Sequence, residues 1–200
     1  MKIGIMGGTF NPIHQGHVEM MEAASKEAGL DYILLIPTGN PPHKSEEIVS
    51  GYDRYEMCLL AAAYMDNVLV SSIEIERKGI TYTIDTLKEL EKKYGKMDEL
   101  FFIIGADTVL RLRTWKDFSE VAKRCSFVAF FRNDTDMEGI ESEIHRLMED
   151  FSAKVILLES HVMDVSSSDI RDRVKQGLSI KGMVPGRVLE YIGRNDLYKV

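Results

Sequence analysis

Two histidines three residues apart, His14 and His17, follow a pair of adjacent glycines in the run Gly7-Gly8-Thr9-Phe10-Asn11-Pro12-Ile13-His14-Gln15-Gly16-His17. An imidazole N–H is a donor for phosphate oxygen. On the opening turn of a helix, residues at i and i+3 share a face, so both rings can serve one polyphosphate. Adjacent glycines let the backbone come close to a ligand, and a helix start adds free N–H groups and a positive dipole end. The run therefore predicts a phosphate site between a first strand and a first helix. Its glycine spacing fits neither the G-x-G-x-x-G of dinucleotide oxidoreductases nor a Walker loop ending in Gly-Lys-Ser or Gly-Lys-Thr, which disfavours both classes.

Four other stretches carry side chains of chemical interest. Val165-Ser166-Ser167-Ser168-Asp169-Ile170-Arg171 reads as the start of a helix, where serine or aspartate caps the end and the dipole and arginine attract anions. In Asn40-Pro41-Pro42-His43-Lys44 the prolines reduce the entropy lost on holding Lys44 in place. Tyr82-Thr83-Ile84-Asp85 reads as a helix start with Thr83 as cap and Asp85 in the first turn. Ile103-Ile104-Gly105-Ala106-Asp107 sets a carboxylate just past a strand's carboxyl end, a reasonable acceptor for a hydroxyl, and Trp115, the only tryptophan, offers a large π face.

The elements that must position these groups alternate. Short β-rich runs recur at Lys2 to Met6, Tyr32 to Pro37, Val68 to Ile73, Leu100 to Ile104, Ser126 to Phe131 and Val155 to Leu158. Several are apolar throughout, as strands covered on both faces must be. Helical faces lie between them: Val18, Met21, Ala24 and Ala28; Met57, Leu60, Ala61 and Tyr64; Ile140, Ile144, Leu147 and Met148. This order predicts an α/β fold with a doubly wound parallel sheet and ligands beyond the carboxyl ends of the strands. Helices at Ser166 to Lys175 and after Pro185 are expected to form a small C-terminal cap, about 166–200, on a single domain spanning 1–200.

At 200 residues, 44% apolar and 28% charged, the chain can bury one sizeable core. A net charge of −7 argues against general nucleic-acid binding, although a few local cations suffice for one phosphorylated small molecule. No apolar run approaches the roughly 20 residues of a membrane span and none resembles a signal peptide, so a cytoplasmic protein without membrane partners is expected. Cys58 and Cys125 read as small buried side chains, not as a disulfide or metal cluster.

The first motif resembles the G-G-T-F-[DN]-P-x-H-x-G-H signature of the nucleotidyltransferase superfamily, and the late serine run is similar to that superfamily's I-S-S-T-x-I-R, with Ser168 in place of Thr. The segments from Gly79 to Leu87 and from Ile103 to Trp115 resemble S-Y-T-x-D-T-L and I-G-x-D-x-L-x-x-L-x-x-W of bacterial nicotinate-nucleotide adenylyltransferases. The likeness runs from Met1 to about Ile192. It implies a Rossmann-like nucleotidyltransferase fold with ATP held by Gly7, Gly8, Thr9, Phe10, His14, His17, Lys44, Ser166, Ser167, Ser168 and Arg171. His14, His17, Lys44 and Arg171 would be catalytic. It further implies that Trp115 stacks on a pyridine ring, Thr83 helps to hold the base and Asp107 bonds a ribose hydroxyl.

The implied reaction joins nicotinate mononucleotide to the AMP moiety of ATP, giving nicotinate adenine dinucleotide and pyrophosphate in NAD biosynthesis. No Ser-His-Asp or Cys-His signature suggests a covalent intermediate, so in-line attack is expected, with Mg²⁺ bound through the substrate phosphates and no protein metal cage. Phosphopantetheine and CTP-dependent alternatives are disfavoured by Thr83, Asp107 and Trp115, and a non-catalytic sensor by the intact His14, His17 and Arg171. Nicotinamide mononucleotide as acceptor and homo-oligomer formation stay open.

Overall fold

The computed structural model describes residues 1–40, 48–95, 99–131, 137–160 and 162–199. Its strands are β1 (Lys2–Gly8), β2 (Tyr32–Pro37), β3 (Val68–Val70), β4 (Glu99–Gly105), β5 (Ser126–Phe130) and β6 (Val155–Leu158). The helices are α1 (Gln15–Glu27), α2 (Gly51–Ala62), α3 (Thr83–Tyr94), α4 (Ala106–Val109), α5 (Phe118–Ala122), α6 (Met137–Phe151), α7 (Ser167–Lys175) and α8 (Gly186–Arg194), with a 3-10 turn at Leu112–Thr114.

The six strands are ordered β3-β2-β1-β4-β5-β6. This is the doubly wound order in which ligands bind outside the carboxyl ends of the strands. The pairs β1·β4, β4·β5 and β5·β6 are parallel, with Ile5 opposite Phe102, Ile104 opposite Ala129 and Phe130 opposite Leu158. The expected α/β class and parallel sheet are therefore present.

By its contacts the chain divides into two compact units, Met1–Met6, Met20–Leu34 and Tyr82–Val162 forming one, and Gly7–Glu19, Leu35–Thr81 and Met163–Val200 the other. In the first unit, β4 and β5 are buried along most of their length, with Phe127 and Val128 fully covered. Burying side chains of this kind contributes about 1.5–3 kcal/mol each. Gly4 lies close to Leu30, Ile33 and Ile103, and an added Cβ would fall 2.8 Å from Leu30 Cδ1. In the second unit Ile13, Leu35, Ile36, Met57 and Val188 are buried, and the Tyr191 hydroxyl of α8 donates to Asp53 of α2 at 2.9 Å.

Several local expectations need correction. β3 ends at Val70, and Ser71 instead donates its N–H to the Leu35 carbonyl at 2.9 Å. On α2 the buried face is Arg54, Met57, Cys58 and Ala61; Tyr64 lies beyond the helix, exposed, with the Arg187 guanidinium 4.6 Å from its ring centre. On α6, Glu143 occupies the buried stripe between Ile140 and Leu147, because Arg113 donates to it at 2.5 Å, and Met148 is exposed. Ala28 lies past the end of α1. Pro185 is the N-cap of α8 and not its first helical residue. Both cysteines are free and buried. Among the described residues no helix is long and apolar enough to cross a membrane.

Candidate active site

Each compact unit carries one set of the candidates. In the second unit, β1 ends at Gly8 and the chain turns through Thr9–Ile13 before α1 opens at Gln15. Phe10 holds a left-handed backbone, φ 48°, and its buried ring meets His17 edge-on at 5.0 Å. Left-handed backbone in a non-glycine residue is a strained conformation that the surroundings must hold. The ring of Phe10 therefore acts as a wedge that fixes the loop, while Gly7 is exposed and Gly8 and Thr9 are partly exposed. Gly8 is small for a reason: a Cβ there would lie 3.0 Å from the Phe10 ring.

His14 and His17 stack, with ring centres 3.6 Å apart and 27° between planes. His14 is 4% exposed and His17 partly exposed. The His14 backbone N–H donates to His17 Nδ1 at 3.2 Å. That bond occupies Nδ1 as an acceptor and leaves Nε2 as the protonated nitrogen, a donor for an anion. Gly16, between the two histidines, sits against the Met163 carbonyl; a Cβ would approach that oxygen to 2.8 Å. The spacing of the motif thus answers both to the ring pair and to a close backbone approach.

The carbonyl oxygens of the loop are taken up by donors from elsewhere in the same unit. Gly8 C=O accepts from Thr38 N–H at 2.8 Å, Thr9 C=O from Arg54 Nη1 at 2.8 Å, Asn11 C=O from Arg171 Nη1 at 3.0 Å, and Pro12 C=O from Ser167 Oγ at 2.8 Å. Carbonyl dipoles facing a polyanion would repel it; bonded to these donors, they no longer do so at full strength. Arg54, 1% exposed, also donates to Gly39 C=O at 3.2 Å and to Val49 C=O at 3.4 Å. Burial pulls its guanidinium below the ordinary pKa, opposed by Cys58, Tyr198 and Glu74. Gly39 can carry no side chain, since a Cβ would lie 1.7 Å from the Glu74 carbonyl oxygen.

Ser166 caps α7, accepting the Asp169 N–H at 3.1 Å and donating to the Asp169 carboxylate at 2.7 Å. Ser168 is exposed on the first turn and Arg171 is partly exposed. Gly7, Gly8, Thr9, Phe10, His14, His17, Ser166, Ser167, Ser168 and Arg171 are thus all in one unit, while Lys44 lies outside the described residues.

The first unit holds Thr83, Asp107 and Trp115. Tyr82, not Thr83, is the N-cap of α3, and Thr83 is its first helical residue. Asp85 in that first turn pairs with Lys116 at 3.2 Å, and the Lys116 ammonium stands 4.4 Å from the Tyr82 ring centre. Lys116 therefore ties the start of α3 to the chain beside Trp115. The indole meets Phe102 and Phe127 edge-on at 5.4 and 6.2 Å and is only partly buried, so core packing orients it without enclosing it. Asp107 is exposed and paired with Arg111 at 2.6 Å. Its Oδ1 would be 2.7 Å from a Cβ on Gly105, a contact the exposed carboxylate can relieve by turning away.

Sequence reasoning missed Arg54, Asn11, Lys116 and Tyr198. A single cation on the otherwise apolar face of α2 was the signal for Arg54. The Asn11 side chain accepts from Val49 N–H at 3.3 Å and from the Tyr198 hydroxyl at 3.0 Å, pairings distant in sequence that no local pattern reports.

Comparison with known proteins shows the family and the fold. A sequence-family model described as cytidylyltransferase-like matches residues 5–173. A protein of Thermoanaerobacter sp. (strain X514), described as "Probable nicotinate-nucleotide adenylyltransferase", is 42% identical over 200 residues, covering 100% of this chain and 95% of its own. A protein of Moorella thermoacetica with the same description is 40% identical over 199 residues, covering 99% and 92%. In fold, the chain is similar to Plasmodium falciparum nicotinic acid mononucleotide adenylyltransferase complexed with NaAD, at TM-score 0.80 and 19% identity, covering 98% of this chain and 97% of that one. With the motifs in order along the whole chain and relatives matched end to end, this chain belongs to the nicotinate-nucleotide adenylyltransferase family of cytidylyltransferase-like nucleotidyltransferases.

Proposed function

We propose that this enzyme transfers the AMP moiety of ATP to the phosphate of nicotinate mononucleotide, releasing pyrophosphate and forming nicotinate adenine dinucleotide, a step of NAD biosynthesis. The observation that carries the reading is the stacked His14–His17 pair, set at the start of α1 behind a loop whose carbonyls are bonded to Arg54, Ser167 and Arg171. The names of the full-length relatives support the acceptor.

An oxygen of the acceptor phosphate attacks the α-phosphorus of ATP, the bond to the β-phosphate oxygen breaks, and pyrophosphate leaves with that oxygen. His17 Nε2–H, His14 and Arg171 stabilise charge on the triphosphate, and Lys44 joins them by the motif in which it stands. Trp115 stacks on the pyridine ring, Thr83 helps to hold the base, and Asp107 accepts from a ribose hydroxyl. Among the described residues no three His, Cys, Asp or Glu side chains cluster as a metal cage. The imidazoles of His14 and His17 and the Arg171 guanidinium suit phosphate oxygens, so Mg²⁺ would be held through the phosphates of ATP and would supply neutralisation of their charge.

The test is pyrophosphate release from ATP and Mg²⁺ with nicotinate or nicotinamide mononucleotide. Release with the acid, a drop of about 100-fold or more in His17→Ala, and a rise of about 10-fold in mononucleotide KM with unchanged ATP KM in Trp115→Ala are expected. Release only with phosphopantetheine, or with no acceptor tested, would overturn the assignment.

A further inference from the structure

After α8 the backbone turns through two left-handed residues, Asp196 at φ 50° and Tyr198 at φ 63°. Neither is glycine, and each such residue costs free energy that the surrounding structure must offset. Within the turn Asn195 N–H and its side-chain amide donate to the Tyr191 carbonyl at 3.1 and 2.9 Å, Leu197 N–H donates to the Ile192 carbonyl at 3.1 Å, and Lys199 pairs with Asp196 at 2.6 Å. Its product is the placement of Tyr198, which is 8% exposed and whose hydroxyl donates to Asn11 Oδ1 at 3.0 Å.

Asn11 lies inside the first motif and does two things at once. Its side-chain oxygen receives Tyr198 and the Val49 N–H, and its backbone carbonyl receives Arg171 Nη1. The orientation of the Asn11 peptide therefore sets where the Arg171 guanidinium rests. Arg171 and Arg54 both act electrostatically on the phenol, and burial, the larger effect, pushes that phenol up, so it stays a neutral donor at any working pH. A neutral donor that feels two guanidinium groups can orient the amide without cancelling their charge.

We propose that Tyr198 is a positioning residue of the nucleotide site, acting through Asn11 to fix the peptide that seats Arg171 for the triphosphate. The left-handed turn exists to deliver that hydroxyl. This rests on the reading of Arg171 as a phosphate ligand.

The experiment is a double-mutant cycle of Tyr198→Phe, Asn11→Ala and both together, read by ATP binding in calorimetry and by KM for each substrate. Removal of one neutral hydrogen bond predicts a loss of about 3- to 10-fold in ATP affinity for Tyr198→Phe. Mononucleotide KM is unchanged, and the double variant is no weaker than Asn11→Ala alone, because both changes break one pathway. Additive losses, or equal losses for both substrates together with a lowered melting temperature, would overturn the proposal and leave Tyr198 a packing residue. The binding arm needs no acceptor. If wild-type protein bound ATP yet released no pyrophosphate with nicotinate mononucleotide, the acceptor reading would fail while the cycle still decided the role of Tyr198.

Discussion

Replacing Arg54 by methionine tests how the first loop is held. Methionine keeps most of the apolar stem and deletes the guanidinium, so the change isolates the bonds to Thr9, Gly39 and Val49 at 2.8, 3.2 and 3.4 Å. At least the first two carbonyls are then left without their donor at a site where Arg54 itself is 1% exposed. An unsatisfied buried acceptor costs about 1–3 kcal/mol, and the longest of the three bonds counts for little. Relief from desolvating a buried cation works the other way, so the net expectation is a loss of about 3 kcal/mol. With a urea m-value of about 2–3 kcal/mol/M, the unfolding midpoint should fall by about 1–1.5 M. Far-UV circular dichroism in urea measures it. Arg54→Lys keeps the charge but reaches fewer carbonyls at once, and its midpoint should lie between the other two. A methionine midpoint within about 0.3 M of wild type would refute the carbonyl argument, and a lysine variant as stable as wild type would show that charge matters and the fork does not.

Gly39→Ala should be poorly tolerated, with a loss of about 3 kcal/mol or more, because its Cβ would meet the Glu74 carbonyl at 1.7 Å. Gly193→Ala in α8 meets open space and should stabilise by about 0.5–1 kcal/mol; thermal melts of the pair separate the two cases. Glu120 is held at a pKa of about 2, from an ordinary 4.5, by hydrogen bonds from Lys123 and then Arg124. A depressed carboxylate stabilises fully above its unfolded value and loses that contribution as pH falls from about 4.5 to 2. The melting-temperature gap between wild type and Glu120→Gln should therefore close over that range, and a gap that stayed constant from pH 7 to 2 would contradict the assignment.

What the sequence disclosed and what it withheld divide along physical lines. The position of the loop after β1, the His14–His17 spacing and the Ser166 cap are set by residues a few places apart, and spacing alone reveals them, although the donors that hold the loop are distant in sequence. The positions that went astray on α2 and α6 were those where a charged residue occupies a buried face. Arg54 and Glu143 look like solvent-facing residues by type, and only their distant partners, Thr9 and Arg113, make their burial tolerable. The shift from Thr83 to Tyr82 at the α3 cap is a one-residue boundary error: Tyr82 makes no side-chain capping bond, so it carries no compositional mark. The acceptor candidates were found through resemblance, since a lone tryptophan between Phe102 and Phe127 looks, by residue type, like any core aromatic.

The second compact unit is assembled from three stretches of chain, the first beginning at Gly7 and the last reaching beyond Tyr198. This has a consequence for synthesis. At about 5–20 residues per second, Tyr198 is made about 10–40 s after the first residues. During that interval the loop of Thr9 to Pro12 exists without Ser167, Arg171 or Tyr198, the donors that fix Asn11 and Pro12. A nascent chain can already have formed the pairing of β1 with β4 and still lack a finished loop between β1 and α1. On the proposed role of this loop, its competence to hold ATP waits for Ser167, Arg171 and Tyr198, which are made long after His14 and His17.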